Sequence, residues 1–143
     1  MIILILLKDN TLNNLKFMYE MLYERDDTVS ISFEMPTYEE HVNFVLNHPY
    51  EAWYIIYDDD TPVGNIYLAK DDSWGQFIKK EHIGKGYGPE SIKQLMKLHP
   101  RKYYYANVNP NNEHAIYNLK KKYKGELIQE TYRVECDKVL NQE

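Results

Sequence analysis

Phe77-Ile-Lys-Lys-Glu-His-Ile-Gly-Lys-Gly-Tyr-Gly-Pro-Glu-Ser-Ile92 constrains the fold more than any other stretch of the chain. A short apolar strand runs into three alternating glycines and then into an amphipathic helix. Gly84, Gly86 and Gly88 can take backbone angles closed to other residues, so several amide N–H groups can converge on one point. The helix that follows aims its positive dipole end at the same point, as an anion site requires. Two familiar phosphate motifs fail on spacing. The only Gly-Lys pair, Gly84-Lys85, is followed by Gly86 rather than by the hydroxyl residue of a P-loop, and Pro89 interrupts a dinucleotide fingerprint counted from Gly84. What remains is strand, Gly-x-Gly-x-Gly, helix, a pattern that a simple glycine-rich connection also satisfies.

The setting for such a loop follows from size and composition. With 143 residues, 43% hydrophobic and 27% charged, the chain fits one domain with a substantial core, residues 1–143 together. One cysteine, Cys136, excludes an internal disulfide framework and fits a reducing cytoplasm. Met1-Ile-Ile-Leu-Ile-Leu-Leu7 lacks preceding basic residues and a small-residue cleavage site, so it reads as a buried first strand rather than a signal peptide. No apolar run approaches the length of a membrane span. The net charge of −5 argues against broad nucleic-acid binding while leaving room for a local basic pocket. Five scattered His and the single Cys show no metal-ligand spacing, so no metal is expected.

The periodicities predict a strand at Ile2 to Leu7 and a helix from about Thr11 to Glu24, with Leu12, Leu15, Tyr19 and Leu22 recurring at helical spacing. Asp26 to Glu34 lacks a clear period. Thr37-Tyr38-Glu39-Glu40 is a capping box that starts a helix to about Asn47, with Tyr38, Val42, Val45 and Leu46 inward. Ala52 to Tyr57 and Val63 to Ala69 form a hairpin around the turn Asp58 to Pro62. Ser73 to Ile78 is the strand feeding the glycines, and a helix from about Pro89 to Leu98 follows, with Ile92, Leu95 and Met96 on one face. Lys102 to Val108 reads as a strand, Glu113 to about Tyr123 as a helix and Leu127 to Cys136 as one or two closing strands. The order β-α-α-β-β-β-α-β-α-β is an α/β (α+β) fold, a mixed sheet covered by helices.

This order, with the glycine loop after the fourth strand, resembles the Gcn5-related N-acetyltransferase (GNAT) superfamily in its compact bacterial form, from roughly Ile2 to Glu135. The family's loop has Gln or Arg, two variable residues, Gly, one variable residue, then Gly or Ala, and it falls here on Ile83-Gly84-Lys85-Gly86-Tyr87-Gly88. The glycines match, and Ile83 replaces the Gln or Arg. A second match is Asn109-Pro110-Asn111-Asn112-Glu113-His114-Ala115, similar to the family's Pro-x-Asn at a strand end. The resemblance implies a twisted, mostly antiparallel sheet of six to seven strands with about four helices, splayed between strands 4 and 5. It implies acetyl transfer from acetyl-CoA to an amine by direct attack.

Under that resemblance the backbone of Ile83, Gly84, Lys85, Gly86, Tyr87 and Gly88 holds the CoA pyrophosphate. A bulged strand at Gln76, Phe77 and Ile78 offers backbone groups to the pantetheine arm and the thioester carbonyl, and Asn112 lies close to the pantetheine. Lys79, Lys80 and Lys85 bracket the glycines and suit the phosphates, and His82 sits beside the loop. Many relatives carry a Tyr seven residues after the motif Asn, where this chain has Leu119; Tyr117 lies two residues away, about 200° around a helix, and Tyr123 follows. The general base is open between Glu34 and the carboxylates before Ser73, Asp72 among them. His41 lines the acceptor pocket or is simply a satisfied helix residue. The segments Met35 to Phe44, Trp53 to Ile56 and Val63 to Tyr67 look like compact bacterial members, some of which acetylate amino sugars on nucleotide carriers. The implied partner is a small-molecule amine, with no nucleic acid and no membrane, and a homodimer is compatible with the resemblance. A protein N-terminus as acceptor, a non-catalytic acyl-CoA-binding module and a phosphate-binding structural protein remain as alternatives.

Overall fold

The computed structural model describes residues 1–9, 11–25 and 34–142, and these cluster into two compact units, Met1–Asn112 and Glu113–Glu143. In the first unit, strands β1 (Ile2–Leu6), β2 (Ala52–Asp58), β3 (Thr61–Leu68), β4 (Ser73–Ile78) and β5 (Tyr105–Ala106) form one sheet in the order β1-β2-β3-β4-β5. The first three pairings are antiparallel and the last is parallel. Helices α1 (Thr11–Glu24), α2 (Tyr38–Leu46) and α3 (Tyr87–Leu98) cover it.

Strand alternation decides which helix meets which face. Ile55 of β2 joins Leu7, Leu15, Met18, Met21 and Val45 in a core beneath α1 and α2, with Trp53, Tyr57 and Phe77 packed against it. Tyr54, Ile56, Ile66 and Leu68 point the other way and are buried with Ile92 and Leu95 of α3. β2 is therefore covered on both faces, and the near-continuous apolar run Trp53-Tyr-Ile-Ile56 follows from that. Thr37 caps α2 as the capping box predicts, its Oγ1 accepting from the Glu40 amide at 3.1 Å while Glu40 Oε1 accepts from the Thr37 amide at 3.0 Å. Those contacts hold the Glu40 carboxyl below its usual range, the Thr37 amide contributing most. The inward face of α2 is rotated from the expected one. His41 and Val45 are buried, whereas Tyr38 and Leu46 are about half exposed, because α2 meets α1 through the Tyr19 and His41 rings, 5.2 Å apart.

Strand count is the main departure, five among the described residues rather than six to seven. The expected strand from Lys102 to Val108 contracts to Tyr105–Ala106, and residues 127–135 carry neither strand nor helix. The register shift lies between Ile56 and Tyr57 in the β2–β3 pair, whereas β4 runs in unbroken register against β3 from Leu68↔Trp74 to Gly64↔Ile78. The bulge expected at Gln76 to Ile78 is thus absent from that ladder. In the second unit, α4 (Glu113–Tyr117) runs into a π-helical turn at Asn118–Lys122, closed by the Tyr123 amide on the Asn118 carbonyl at 2.9 Å, and α5 (Cys136–Leu140) lies near the end. Among the described residues no helix is long and apolar enough to cross a membrane.

Candidate functional site

The site is built where β4 loses its second neighbour. β5 pairs with β4 only at Ser73↔Tyr105 and Trp74↔Ala106, so the rest of β4 has a partner on the β3 side alone. The ladder direction follows from two bonds, the Lys79 amide to the Val63 carbonyl at 2.9 Å and the Ala69 amide to the Ser73 carbonyl at 2.7 Å. They make the odd-numbered residues of β4 the ones that bond β3. The backbone N–H and C=O groups of Gln76 and Ile78 consequently face the gap that β5 leaves. Gln76 and Ile78 are two of the three residues expected to serve the pantetheine arm. Phe77 differs: its backbone serves β3, and its ring packs on the core under α1 and α2.

Past β4 the chain makes a 3-10 turn at Lys80–His82, with the Ile83 amide donating to the Lys80 carbonyl at 3.3 Å. Ile83 therefore offers no free amide, and its side chain is 55% exposed. Gly84 and Gly86 both take positive φ, 86° and 82°, and a Cβ built on either meets nothing within 4 Å. The ground beside both glycines is open. Gly86 caps α3, whose first intrahelical bond is the Glu90 amide to the Gly86 carbonyl at 3.3 Å. The amides of Tyr87 and Gly88 precede that bond and have no acceptor within the helix, and Pro89 has no amide at all. Gly88 faces inward: a Cβ there would stand 2.9 Å from Gln76 Nε2, while Gln76 Oε1 accepts from Trp74 Nε1 at 3.3 Å. The third glycine thus lets the head of α3 press against β4.

The loop is tied at both ends by carboxylates that sequence reading missed. Glu24, the last residue of α1, accepts the Lys80 amide at 3.0 Å. Tyr87 donates its hydroxyl to Asp58 at the end of β2, and the Met1 ammonium stands 3.4 Å from the other Asp58 oxygen. The Tyr87 hydroxyl holds the Asp58 carboxyl below the usual carboxylate range, and the same bond pushes the Tyr87 phenol up. No local pattern marks these pairs, which lie 29 and 56 residues apart in sequence.

The cations divide. Lys79 pairs with Glu81 at 3.6 Å and sits over the Phe17 ring, His82 Nε2 lies 3.6 Å from the same Glu81 oxygen, and Lys80 and Lys85 are exposed. His82 stands edge-on to the Tyr87 ring at 6.2 Å.

The proposed proton-transfer residues lie on different elements, Glu34 and Asp72 in the first unit and Tyr117 and Tyr123 in the second. Asp72 precedes β4 at the end opposite the glycines, and it is ion-paired to Arg101 at 3.0 Å, which also grips Glu51 at 2.8 and 2.9 Å. Its carboxylate secures a turn in which Asp72 itself has φ 66°, so the structure assigns it an anchoring contact. Glu34 is exposed, and its carbonyl accepts Arg25 Nη2 at 2.9 Å. In the second unit Tyr117 ends α4 and is 57% exposed, whereas Tyr123 is half-buried and burial pushes its hydroxyl up. The π turn begins after Tyr117, so it rotates Tyr123 and leaves Tyr117 on an α-helical face distinct from that of Leu119. Asn112 closes the first unit with its amide on the Asn109 carbonyl at 2.9 Å. His41 is only 5% exposed, and desolvation pushes its pKa down against the effect of a bond to the Leu15 backbone. Among the described residues no group of three or more His, Cys, Asp or Glu could hold a metal ion.

A mixed sheet that parts after one short parallel pairing, with a glycine-capped helix at the parting, defines the fold class. Residues 16–121 match the acetyltransferase (GNAT) family, and the chain belongs to that family. Among solved structures it is similar to a domain from Methanocaldococcus jannaschii (TM-score 0.64, 21% identity, 81% of this chain and 82% of that one). It is similar to an acetyltransferase from Clostridium difficile described as possible (TM-score 0.62, 14% identity, 94% and 96%). It is also similar to an aminoglycoside acetyltransferase, AAC(6')-Ib, in complex with coenzyme A (TM-score 0.59, 21% identity, 81% and 79%). At these identities the likeness establishes the fold. Among curated proteins none matches the chain.

Proposed function

We propose that the protein transfers an acetyl group from acetyl-CoA to the primary amine of a small molecule by direct attack in a ternary complex. The observation that carries this reading is the open edge of β4 at Gln76 and Ile78 leading into the glycine-capped start of α3, where the amides of Tyr87 and Gly88 have no acceptor within the helix. An extended thioester arm needs backbone donors and acceptors along a strand, and its pyrophosphate needs converging N–H groups at a helix start. Family relatives with coenzyme A or acetyl-CoA bound support the donor.

In this reading the amides of Gly84, Lys85, Gly86, Tyr87 and Gly88 hold the pyrophosphate, with Lys80 and Lys85 near the phosphates. The Gln76 and Ile78 backbone orients the arm, and an N–H there stabilises the thioester oxygen as negative charge develops on it. Asn112 contributes to pantetheine binding. The acceptor nitrogen attacks as the neutral amine, so its proton passes to a carboxylate or to water, and the departing thiolate takes a proton from a hydroxyl. Glu34 is the carboxylate and Tyr117 or Tyr123 the hydroxyl we assign to these steps. The similarity to an aminoglycoside acetyltransferase favours an amino sugar or another small amine as acceptor.

Calorimetry with acetyl-CoA tests the donor. The wild type binds, and Gly86→Trp, which forces a bulky side chain onto a φ of 82°, loses binding by at least about 100-fold. Absence of binding to the wild type sinks the proposal. A thiol-release assay across an amine panel then separates an enzyme from a non-catalytic acyl-CoA-binding module, which the departures at Ile83 and Leu119 favour. Tight CoA binding with hydrolysis at the background rate for every amine selects the module.

A further inference from the structure

We infer that Asp58 is a positioning residue for the cofactor loop, acting through the Tyr87 hydroxyl; the inference rests on the acetyl-CoA reading above. The bond crosses the site's architecture, since Asp58 ends β2 while Tyr87 is the first residue of α3, directly after the left-handed Gly86. A helix N-terminus is the least constrained part of a helix, with its first amides lacking partners. Here those amides are the groups that must converge on the phosphates, so whatever fixes Tyr87 fixes their direction. Neither Gly84 nor Gly86 can do so, because a Cβ at either would touch nothing and both residues are exposed. Packing holds the inner side through Gly88 against Gln76, and the Asp58 bond supplies the second point of attachment.

A carboxylate close to a phosphate site would ordinarily repel the ligand. At this position it accepts the tyrosine hydroxyl, and its charge is balanced by the Met1 ammonium at 3.4 Å and by Lys85 nearby, all of which favour the ionised form. Asp58 is thereby held as an acceptor, and the phenol is kept as a donor, so the contact has one direction only. Tyr87 then presents its backbone, not its hydroxyl, to the open side of the loop. The Glu24 carboxylate on the Lys80 amide fixes the start of the same loop and leaves its end to Asp58.

The test compares the wild type with Tyr87→Phe, Asp58→Asn and Asp58→Ala by amide hydrogen exchange without ligand and by acetyl-CoA calorimetry and kinetics. Exchange at Glu90 and Ser91, the first bonded turn of α3, should accelerate about tenfold in Tyr87→Phe and Asp58→Ala, while Gln94 to Leu98 stay unchanged. Asp58→Asn keeps an acceptor oxygen and should fall between. The KM for acetyl-CoA should rise about tenfold with the KM for the amine and kcat held within about twofold. The double variant Tyr87→Phe/Asp58→Ala should be no worse than Asp58→Ala alone, since Asp58→Ala already removes the Tyr87 bond along with the Met1 contact. Unchanged exchange at Glu90 and Ser91 in both folded single variants overturns the inference. Accelerated exchange without acetyl-CoA binding by the wild type would sustain the anchoring and overturn the cofactor reading alone.

Discussion

His41 shows how the sequence can place a residue on its helix and leave its surroundings open. Its spacing puts it on α2, but only the crossing of α1 over α2 buries it to 5% exposure beside Tyr19 and Tyr38. Burial disfavours the imidazolium, so the folded pKa lies below that of the unfolded chain. Stability from this group is then fully present above the unfolded value of about 6.5 and is lost as pH falls below it toward the folded pKa. The charged group nearest in the chain is Glu40, already committed to the Thr37 cap, and the rings facing His41 are those of Tyr38 and of Tyr19, whose phenol is pushed up by burial. We expect the Tm of the wild type to drop by several degrees between about pH 7.5 and about pH 5.5, and that of His41→Leu to drop less than half as far. Parallel pH slopes in calorimetry would refute the assignment.

Among the elements, β4 carries most of the proposed site and depends on what its neighbours leave it. Its boundaries, Ser73 to Ile78, agree with the period-2 pattern and the flanking turns. The capping box of α2 and the glycine start of α3 are equally legible, because each rests on residues within four positions of one another. The free edge at Gln76 and Ile78 is different. It exists because β5 stops after two residues, and nothing local in Lys102 to Val108 says where a parallel pairing ends. Gly75 is a second case. A Cβ there would fall on the Tyr67 ring, which stacks on Tyr50 at 3.8 Å with an interplanar angle of 6°. Gly75→Val should displace that ring and lower stability by about 1–3 kcal/mol in chemical denaturation. A change under about 0.5 kcal/mol would mean that the aromatic pair repacks freely.

At the scale of the whole molecule, the two compact units differ in how they are held. Met1–Asn112 has a continuous sheet and cores on both of its faces, whereas residues 124–135 lack helix and strand and are exposed throughout. Lys124 and Arg133 bound that stretch, so limited trypsin digestion should cut there first and leave a fragment ending near Lys124. Mass spectrometry that finds first cuts within α3 or the β2–β3 turn would contradict this. The closing strands expected at Leu127 to Cys136 illustrate the limit of pattern alone. Alternation makes a segment competent to pair, while pairing needs an edge in the right place.

The glycine loop, the strand that enters it, the helix that leaves it and the family are all legible in the order of the residues. Each is encoded by residues adjacent in the chain, through backbone angles, periodicity and capping. Tertiary structure alone decided that β4 and β5 part after Trp74, that His41 is buried, that Asp72 belongs to Arg101 and that Glu24 and Asp58 hold the two ends of the loop. Those outcomes are contacts between residues far apart in sequence, and their free energy exists only once the sheet has brought the partners together.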